Sequence, residues 1–212
     1  YCVSEVPDTF LFLKHADKIT NDKSFDFRDF DIIIALDCGS IARTGLEEEI
    51  RSRDKKQTMI EFDHHPKMFD YSDIEIRNVE AASTTEVLYE FFKNNRIKIN
   101  KSRATSILTG ISTDTGNFLY PSTSEKTVTI SSEMLVRGAR LPHILESTWR
   151  NKSLGGMKIW GRAIESLEIN NKYNFGVSVL TKEDIEECGA KDEELEGISG
   201  FLSNLHGVNE RN

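Results

Sequence analysis

The stretch Thr58-Met59-Ile60-Glu61-Phe62-Asp63-His64-His65-Pro66 decides how this chain is read. A mostly apolar run breaks abruptly into an acid, two imidazoles and a proline, the pattern of a buried strand that delivers polar groups at its carboxyl end. Upstream, Asp31-Ile32-Ile33-Ile34-Ala35-Leu36-Asp37-Cys38-Gly39-Ser40 does the same. A continuous apolar run ending in an acid predicts a strand covered on both faces of a parallel sheet. Between the two, Leu46 and Ile50 stand among charges in residues 41–53, where a crossover helix on the sheet surface would put them. Residues 74–79 predict a third strand.

Helical spacing follows. Ser83-Thr84-Thr85-Glu86 offers a hydroxyl cap with an acid in the first turn, and Val87, Leu88, Phe91 and Phe92 continue as one apolar face. Ala104, Ile107, Leu108 and Ile111 repeat that spacing. The first half is therefore α/β, with a mainly parallel sheet and flanking helices. From Thr123 the pattern turns helical: Val128, Met134 and Leu135 precede Gly138, a C-terminal stop, and Trp160, Ala163, Ile164 and Leu167 form a further stripe. This is a helical connector. Tyr173, Phe175, Val177 and Val179 alternate with polar or small residues, predicting a half-buried strand, and residues 195–205 predict a helix, the start of a smaller α+β C-terminal domain. Tyr1-Cys2-Val3-Ser4 reads as the inside of an apolar strand, and the chain is expected to be a fragment with both ends missing.

Composition limits the partners. Of 212 residues, 27 are Lys or Arg and 35 Asp or Glu, a formal charge of -8. Such a chain lacks the broad positive field that duplex DNA or an anionic membrane requires, so any nucleic-acid partner should be small. Cys2, Cys38 and Cys188 are odd in number and show no CxxC spacing, which argues against a disulfide scaffold or zinc knuckle and for a reducing compartment, the cytoplasm. No unbroken apolar stretch is long enough to cross a bilayer.

The chemistry gathers at the strand ends, where open α/β sheets hold their ligands. Asp37 ends the first run, Asp63, His64 and His65 end the second, and Gly110-Ile111-Ser112-Thr113-Asp114-Thr115-Gly116-Asn117-Phe118 follows an apolar helix. Carboxylate and imidazole are ligands that divalent first-row metals accept, and three loops converging on one sheet edge predict a hydrolytic metal centre. Each element alone has a plainer meaning: a strand-end Asp is usually a turn former or cap, and Asp114 could be an Asx turn. The combination, in this chain order, tips the balance.

These three stretches resemble the DHH phosphoesterases, a family named for the motif standing here as Asp63-His64-His65. Ala35-Leu36-Asp37-Cys38 is similar to the family's second motif, Asp63-His64-His65-Pro66 to its third and Gly110 through Gly116 to its fourth. Within the family, Ala82-Ser83-Thr84-Thr85-Glu86, the Phe118-Leu119-Tyr120 segment and the acidic region 183–200 look like the RecJ-like subgroup that degrades very short oligoribonucleotides and dephosphorylates 3'-phosphoadenosine 5'-phosphate. The resemblance implies two divalent metals per complete site, usually Mn2+, with Mg2+ or Co2+ as alternatives, and hydrolysis by a metal-activated hydroxide. It implies Asp37 as the carboxylate bridging both metals, and His64 and Asp114 as further metal ligands. Asp63 would orient an imidazole from behind, and His65 would face the substrate phosphate as a donor or proton source.

The family's first motif, a His followed by paired Asp, matches nothing before Asp37, since His15 and Asp17 have the wrong spacing; it is expected upstream. The glycine-rich C-terminal motif is also absent, and Leu205-His206-Gly207 is not it. The implied organisation is a catalytic domain over 1–125, a helical connector over 126–170 and the start of a substrate-binding domain over 171–212. Expected partners are short single-stranded RNA or a nucleotide and a second copy in a homodimer, with no duplex DNA and no membrane. Alternatives are a cyclic-dinucleotide phosphodiesterase, an inorganic pyrophosphatase, or a non-catalytic nucleotide-binding relic. Trp149 and Trp160 are expected to pack between helices and sheet, Gly155-Gly156 to cap or hinge a helix, Cys38 to be a small buried side chain, and Arg51, Arg53, Lys55 and Lys56 to form a solvated surface.

Overall fold

A computed structural model describes residues 1–203 and 205. The chain divides into two compact units, Tyr1–Thr148 and Trp149–Asn212. In the first, β1 (Ile32–Leu36), β2 (Thr58–Asp63) and β3 (Ile74–Arg77) form a parallel sheet in that order. The register sets Ile34 beside Ile60, Leu36 beside Phe62, Phe62 beside Ile76 and Asp63 beside Arg77. The α/β class with a parallel sheet thus stands as expected.

The two faces of the sheet are covered differently. On one, Ile33, Ala35, Met59 and Tyr71 pack with Phe27, Ile41, Leu46 and Ile50. The expected crossover helix is here split: a 3-10 turn, Ile41–Thr44, stops at Gly45 with φ +66°, and α1 (Glu47–Arg51) follows, its three glutamates favouring the N-terminal end of the helix dipole. On the other face Phe62, with Ile60 and Ile76 beside it, packs against Val87, Leu88 and Phe91 of α2 (Thr84–Asn94). Ile32, Ile34 and Leu36 share that face through the register, yet each is more than half exposed. Complete burial of β1 was therefore the wrong expectation: α2 covers β2 and β3, and among the described residues nothing reaches across to the edge strand. Nor do Tyr1 to Ser4 form a strand.

α3 (Lys101–Asp114), α4 (Glu125–Val136) and α5 (Leu141–Thr148) build a second core with α2, in which Ala104, Leu108, Ile111, Met134 and Ile144 are fully buried. α2 starts on Ser83, whose hydroxyl accepts the Glu86 N–H, and α4 ends before Gly138 at φ +97°. α4 and α5 thus belong to the first unit, and the division falls inside the stretch expected as a connector. One glycine sets the helix spacing: a Cβ on Gly110 would stand 2.4 Å from Thr85 Cγ2, so α3 approaches the start of α2 only because no side chain intervenes.

The second unit carries α6 (Leu154–Glu165), capped by Ser153, an antiparallel pair β4 (Glu168–Asn170) and β5 (Phe175–Val177), α7 (Lys182–Cys188), a 3-10 turn Asp192–Leu195, and α8 (Ile198–Leu202). Three expectations need correction. Tyr173, Phe175, Val177 and Val179 are exposed rather than half-buried: Phe175 and Val177 face Ile198 and Leu202 of α8 across an open cavity that leaves both side chains in contact with solvent. The helix expected over 195–205 is broken into the 3-10 turn and α8 by Gly197 at φ +85°, while His206 and Gly207 lie outside the described residues. Trp149 and Trp160, expected between helices and sheet, meet each other edge to face, and Trp160 packs on Phe201 of α8 with Lys152 Nζ 4.3 Å over its ring. No described helix is long and apolar enough to cross a membrane.

Candidate metal centre

The sheet delivers its polar groups at the carboxyl ends of β1 and β2. Asp37 follows β1 with φ +59°, a left-handed conformation costly for any residue with a Cβ and tolerated best by Asn and Asp after Gly. Its N–H donates to the Phe62 carbonyl, and its Oδ1 accepts the Thr84 hydroxyl at 2.6 Å. Thr84 is the first residue of α2 and is buried, so this bond ties the exposed carboxylate to the rigid end of a helix.

Asp63 ends β2 with no exposure at all. Its Oδ1 accepts the N–H of His64 at 2.7 Å, the N–H of His65 at 2.9 Å and Nδ1 of His65 at 2.8 Å, while Oδ2 accepts the Gly39 N–H at 2.7 Å. Burial alone would raise its pKa; the His65 amide and ring, the Gly39 amide and the nearby Arg77 charge outweigh it and hold the carboxyl below the ordinary range. Asp63 is thus spent on folding the turn and on the His65 ring, leaving no free oxygen for an ion.

The two imidazoles are differently committed. His64 sets Nδ1 3.1 Å from the Ala81 carbonyl, which fixes the proton there and turns Nε2 toward Asp37 Oδ1, 3.6 Å away. A metal-ligating histidine has this form, one nitrogen donating to a carbonyl and the other presenting a lone pair. His65 turns Nδ1 toward the same Asp37 oxygen at 3.7 Å, but that nitrogen is already taken by Asp63, so Nε2 is its available atom. Donor atoms of Asp37, His64 and His65 lie within 4.8 Å of one another, a nitrogen and oxygen set that fits a first-row divalent cation.

Asp114 is not in that tight group. The stretch expected as a loop is helical through Asp114, the last residue of α3, and Gly116, Asn117 and Phe118 then turn the chain in left-handed conformations. Its side chain reaches solvent, yet surrounding protein and the Asp37 carboxylate lift its pKa from 3.8 to about 6, with His64 and His65 opposing the shift. It therefore faces the same charges as the cluster. Cys38 is half-buried beside Asp37, its thiol donating to the Leu36 carbonyl at 3.4 Å and pushed up by burial away from thiolate chemistry.

The sequence profile described as "DHH family, N-terminal domain" matches residues 4–111, half of the chain and both strand-end clusters. The chain belongs to the DHH family. Among relatives of this DHH chain, the "Bifunctional oligoribonuclease and PAP phosphatase NrnA" of Bacillus subtilis is 29% identical over 154 residues, 71% of this chain and 48% of that protein. An "A-adding tRNA nucleotidyltransferase" of Aquifex aeolicus is 29% identical over 83% of this chain but 22% of its own length. The chain thus spans less than half of either relative. The crystal structure of an exopolyphosphatase-related protein from Bacteroides fragilis has the same fold, with a TM-score of 0.84 at 23% identity over 95% of this chain and 62% of that one.

Three groups at the DHH site were not legible as functional. Thr84 and the Gly39 amide act on carboxylates 47 and 24 residues away, and Arg77, which closes β3, donates to the His65 carbonyl at 2.5 Å. The Ser-Thr-Thr-Glu cap pattern and the subgroup resemblance of residues 82–86 pointed to the segment of the first, but not to its bond with Asp37. Of the basic residues expected on a solvated surface, Arg51, Lys55 and Lys56 are exposed, whereas Arg53 is largely buried, donating to the Ile50 carbonyl and pairing with Asp73.

Proposed function

We propose that this chain is the catalytic part of a phosphoesterase that hydrolyses very short single-stranded RNA, 3'-phosphoadenosine 5'-phosphate, or both, with Mn2+ as its metal. The observation that supports this reading most is the Asp37, His64 and His65 cluster at the carboxyl ends of two parallel strands, in which the Ala81 carbonyl fixes His64 Nδ1 and leaves its Nε2 facing Asp37, while Asp63 holds His65 Nδ1. Family membership supports phosphoester chemistry, and the NrnA relative supports the substrate class. A net charge of -8 favours a small substrate over a long one.

Asp37, His64 and Asp114 would hold the cation, which supplies Lewis acidity toward phosphoryl oxygens and makes water a stronger acid. Asp37 is held for this by Thr84, and His64 by the Ala81 carbonyl. His65 is assigned to the substrate, because the nitrogen it turns to the cluster is occupied by Asp63. When the leaving oxygen departs, a protonated His65 can give it the proton on Nε2, its Nδ1–H staying on the buried Asp63 carboxylate, which keeps the ring in one orientation throughout.

The test is to incubate the full-length protein carrying this chain with Mn2+ and a dinucleotide or 3'-phosphoadenosine 5'-phosphate, and to follow mononucleotide or phosphate by chromatography. Release by the wild type and none by Asp37→Asn is expected. Turnover confined to cyclic dinucleotides or to pyrophosphate would sink the substrate assignment, and no turnover of any phosphoester would sink the reading itself.

A further inference from the structure

Directly beneath the His64-His65 turn lies a buried ionic network. Arg77, the last residue of β3, stands beside Asp63 in the parallel register and has only 8% of its side chain exposed. Its Nη2 donates to Glu61 Oε1 at 2.6 Å and its Nε to Glu75 Oε1 at 2.5 Å, and Nη1 lies 3.5 Å from Asp63 Oδ2. Glu61, 1% exposed, also accepts the Tyr71 hydroxyl at 2.5 Å and the Ser72 hydroxyl at 3.2 Å. Lys67 reaches the other oxygen of Glu75 at 2.6 Å.

A buried ion pair is often no more than tolerated structure, since neutral residues of similar volume can replace it without loss. One bond here is not explained by charge balance. The guanidinium is neutralised by Glu61, Glu75 and Asp63, yet Nη1 also donates to the His65 carbonyl at 2.5 Å. The His65 peptide is thereby held at both ends. Asp63 of β2 takes its N–H and its ring, and Arg77 of β3 takes its carbonyl. Only a planar fork can span Glu61, Glu75 and that carbonyl at once; a lysine ammonium is a single point and cannot.

We propose that Arg77 is a positioning residue for the phosphoester reaction: through the His65 carbonyl and the Asp63 carboxylate it holds the His65 ring in one orientation toward the substrate. This rests on the function proposed above. Arg77 itself touches no substrate.

The experiment uses the full-length protein in three forms: wild type, Arg77→Lys, and the double variant Glu61→Gln/Arg77→Met. The double variant removes Arg77 together with Glu61, leaves the buried Asp63 carboxylate on its His64, His65 and Gly39 donors, keeps partners for Tyr71 and Ser72, and deletes the donor to the His65 carbonyl. Its thermal midpoint is expected near that of the wild type, with kcat on a dinucleotide lowered about 10- to 100-fold, the range typical when an outer-shell partner is lost, and KM little changed. Arg77→Lys keeps a charge for Glu61 but not the fork, and should lower kcat in the same way. A readout independent of turnover is the His65 Cε1–H resonance, expected to broaden or split in both variants while that of His64 stays single. If kcat returns to the wild-type value in either variant, Arg77 is structural only and the proposal is overturned. If the double variant fails to fold, Arg77→Lys decides. If the wild type hydrolyses no phosphoester, the functional reading has failed, and a single sharp His65 resonance in Arg77→Lys would separately overturn the positioning role.

Discussion

Replacing Thr84 by valine isolates one hydrogen bond at the candidate centre. The substitution keeps the shape of a buried side chain and deletes only the hydroxyl that donates to Asp37 Oδ1 at 2.6 Å. A hydrogen bond to a charged group is worth about 1.5–3 kcal/mol when both partners are shut off from water. Here they are not: 48% of the Asp37 side chain is exposed, so water can take over the freed oxygen, and the loss of folding stability should be no more than about 1 kcal/mol. Metal binding is affected differently. Without Thr84 the carboxylate must be ordered by the ion itself, and losing such a partner typically costs about 10- to 100-fold in affinity, about 1.4–2.8 kcal/mol at 1.4 kcal/mol per decade. Mn2+ titration calorimetry on the full-length protein, with urea unfolding alongside, measures both quantities, and Thr84→Ser is the control that restores the donor. Wild-type Mn2+ affinity in Thr84→Val, or a stability loss of several kcal/mol with affinity intact, would show that the hydroxyl does not orient Asp37.

Three further outcomes are expected. Gly110→Ala should destabilise, because the gain of about 1 kcal/mol in helix propensity is outweighed by about 1–3 kcal/mol of overpacking against Thr85 Cγ2; Thr85→Ala in the same chain should recover part of the loss, and a higher urea midpoint for Gly110→Ala alone would contradict the close approach. Leu108→Ala, at a fully buried position between helices, should cost about 2–5 kcal/mol by the same measurement, and a loss under 1 kcal/mol would mean that core is not packed as described. The third concerns pH. Asp114 titrates near 6 in the metal-free folded chain against 3.8 ordinarily, so the folded state binds its proton more tightly than the unfolded one. Its contribution to stability is therefore favoured below that range and lost as pH rises through about 6. Metal-free Asp114→Asn should be more stable than wild type at pH 7.5, and the gap should narrow as pH falls through about 6 and close only below the ordinary value of 3.8, where the unfolded carboxyl is protonated as well; a gap that widens on acidification reverses the sign and refutes the shift.

The strand ends were readable because a parallel strand spells itself out. Apolar runs stop at Leu36 and Phe62, and the next residues are the ones brought together, Asp37 with His64 and His65. Ser83 and Gly138 marked helix ends through their own backbone chemistry, which is local and so visible in sequence. Exposure of Ile32, Ile34 and Leu36 was not readable, since periodicity reports which side chains can be covered and not whether a layer is there to cover them. The packing of α4 and α5 with the first unit escaped for a similar reason: amphipathic helices look alike whichever core they join. Glu61 and Arg77 sat within expected strands where apolar residues were wanted, and only three dimensions reveal that each answers the other across adjacent strands. Asp114 read as part of a loop because Thr-Asp-Thr-Gly is turn chemistry, whereas the helix persists to Asp114 before Gly116 breaks it.

The left-handed backbone at Asp37 bears on how related genes can be sorted. On the proposed function the position asks two things of its residue, a carboxylate for the ion and tolerance of φ +59°, and these requirements would separate where catalysis is no longer selected. A copy kept only for binding or assembly is released from the first demand but not from the second. Its commonest replacements should then be glycine and asparagine, with β-branched residues nearly excluded. Gly or Asn at this one site, in a chain that otherwise keeps its strands and caps, is a signature by which retired members of the lineage can be told from working ones without an assay.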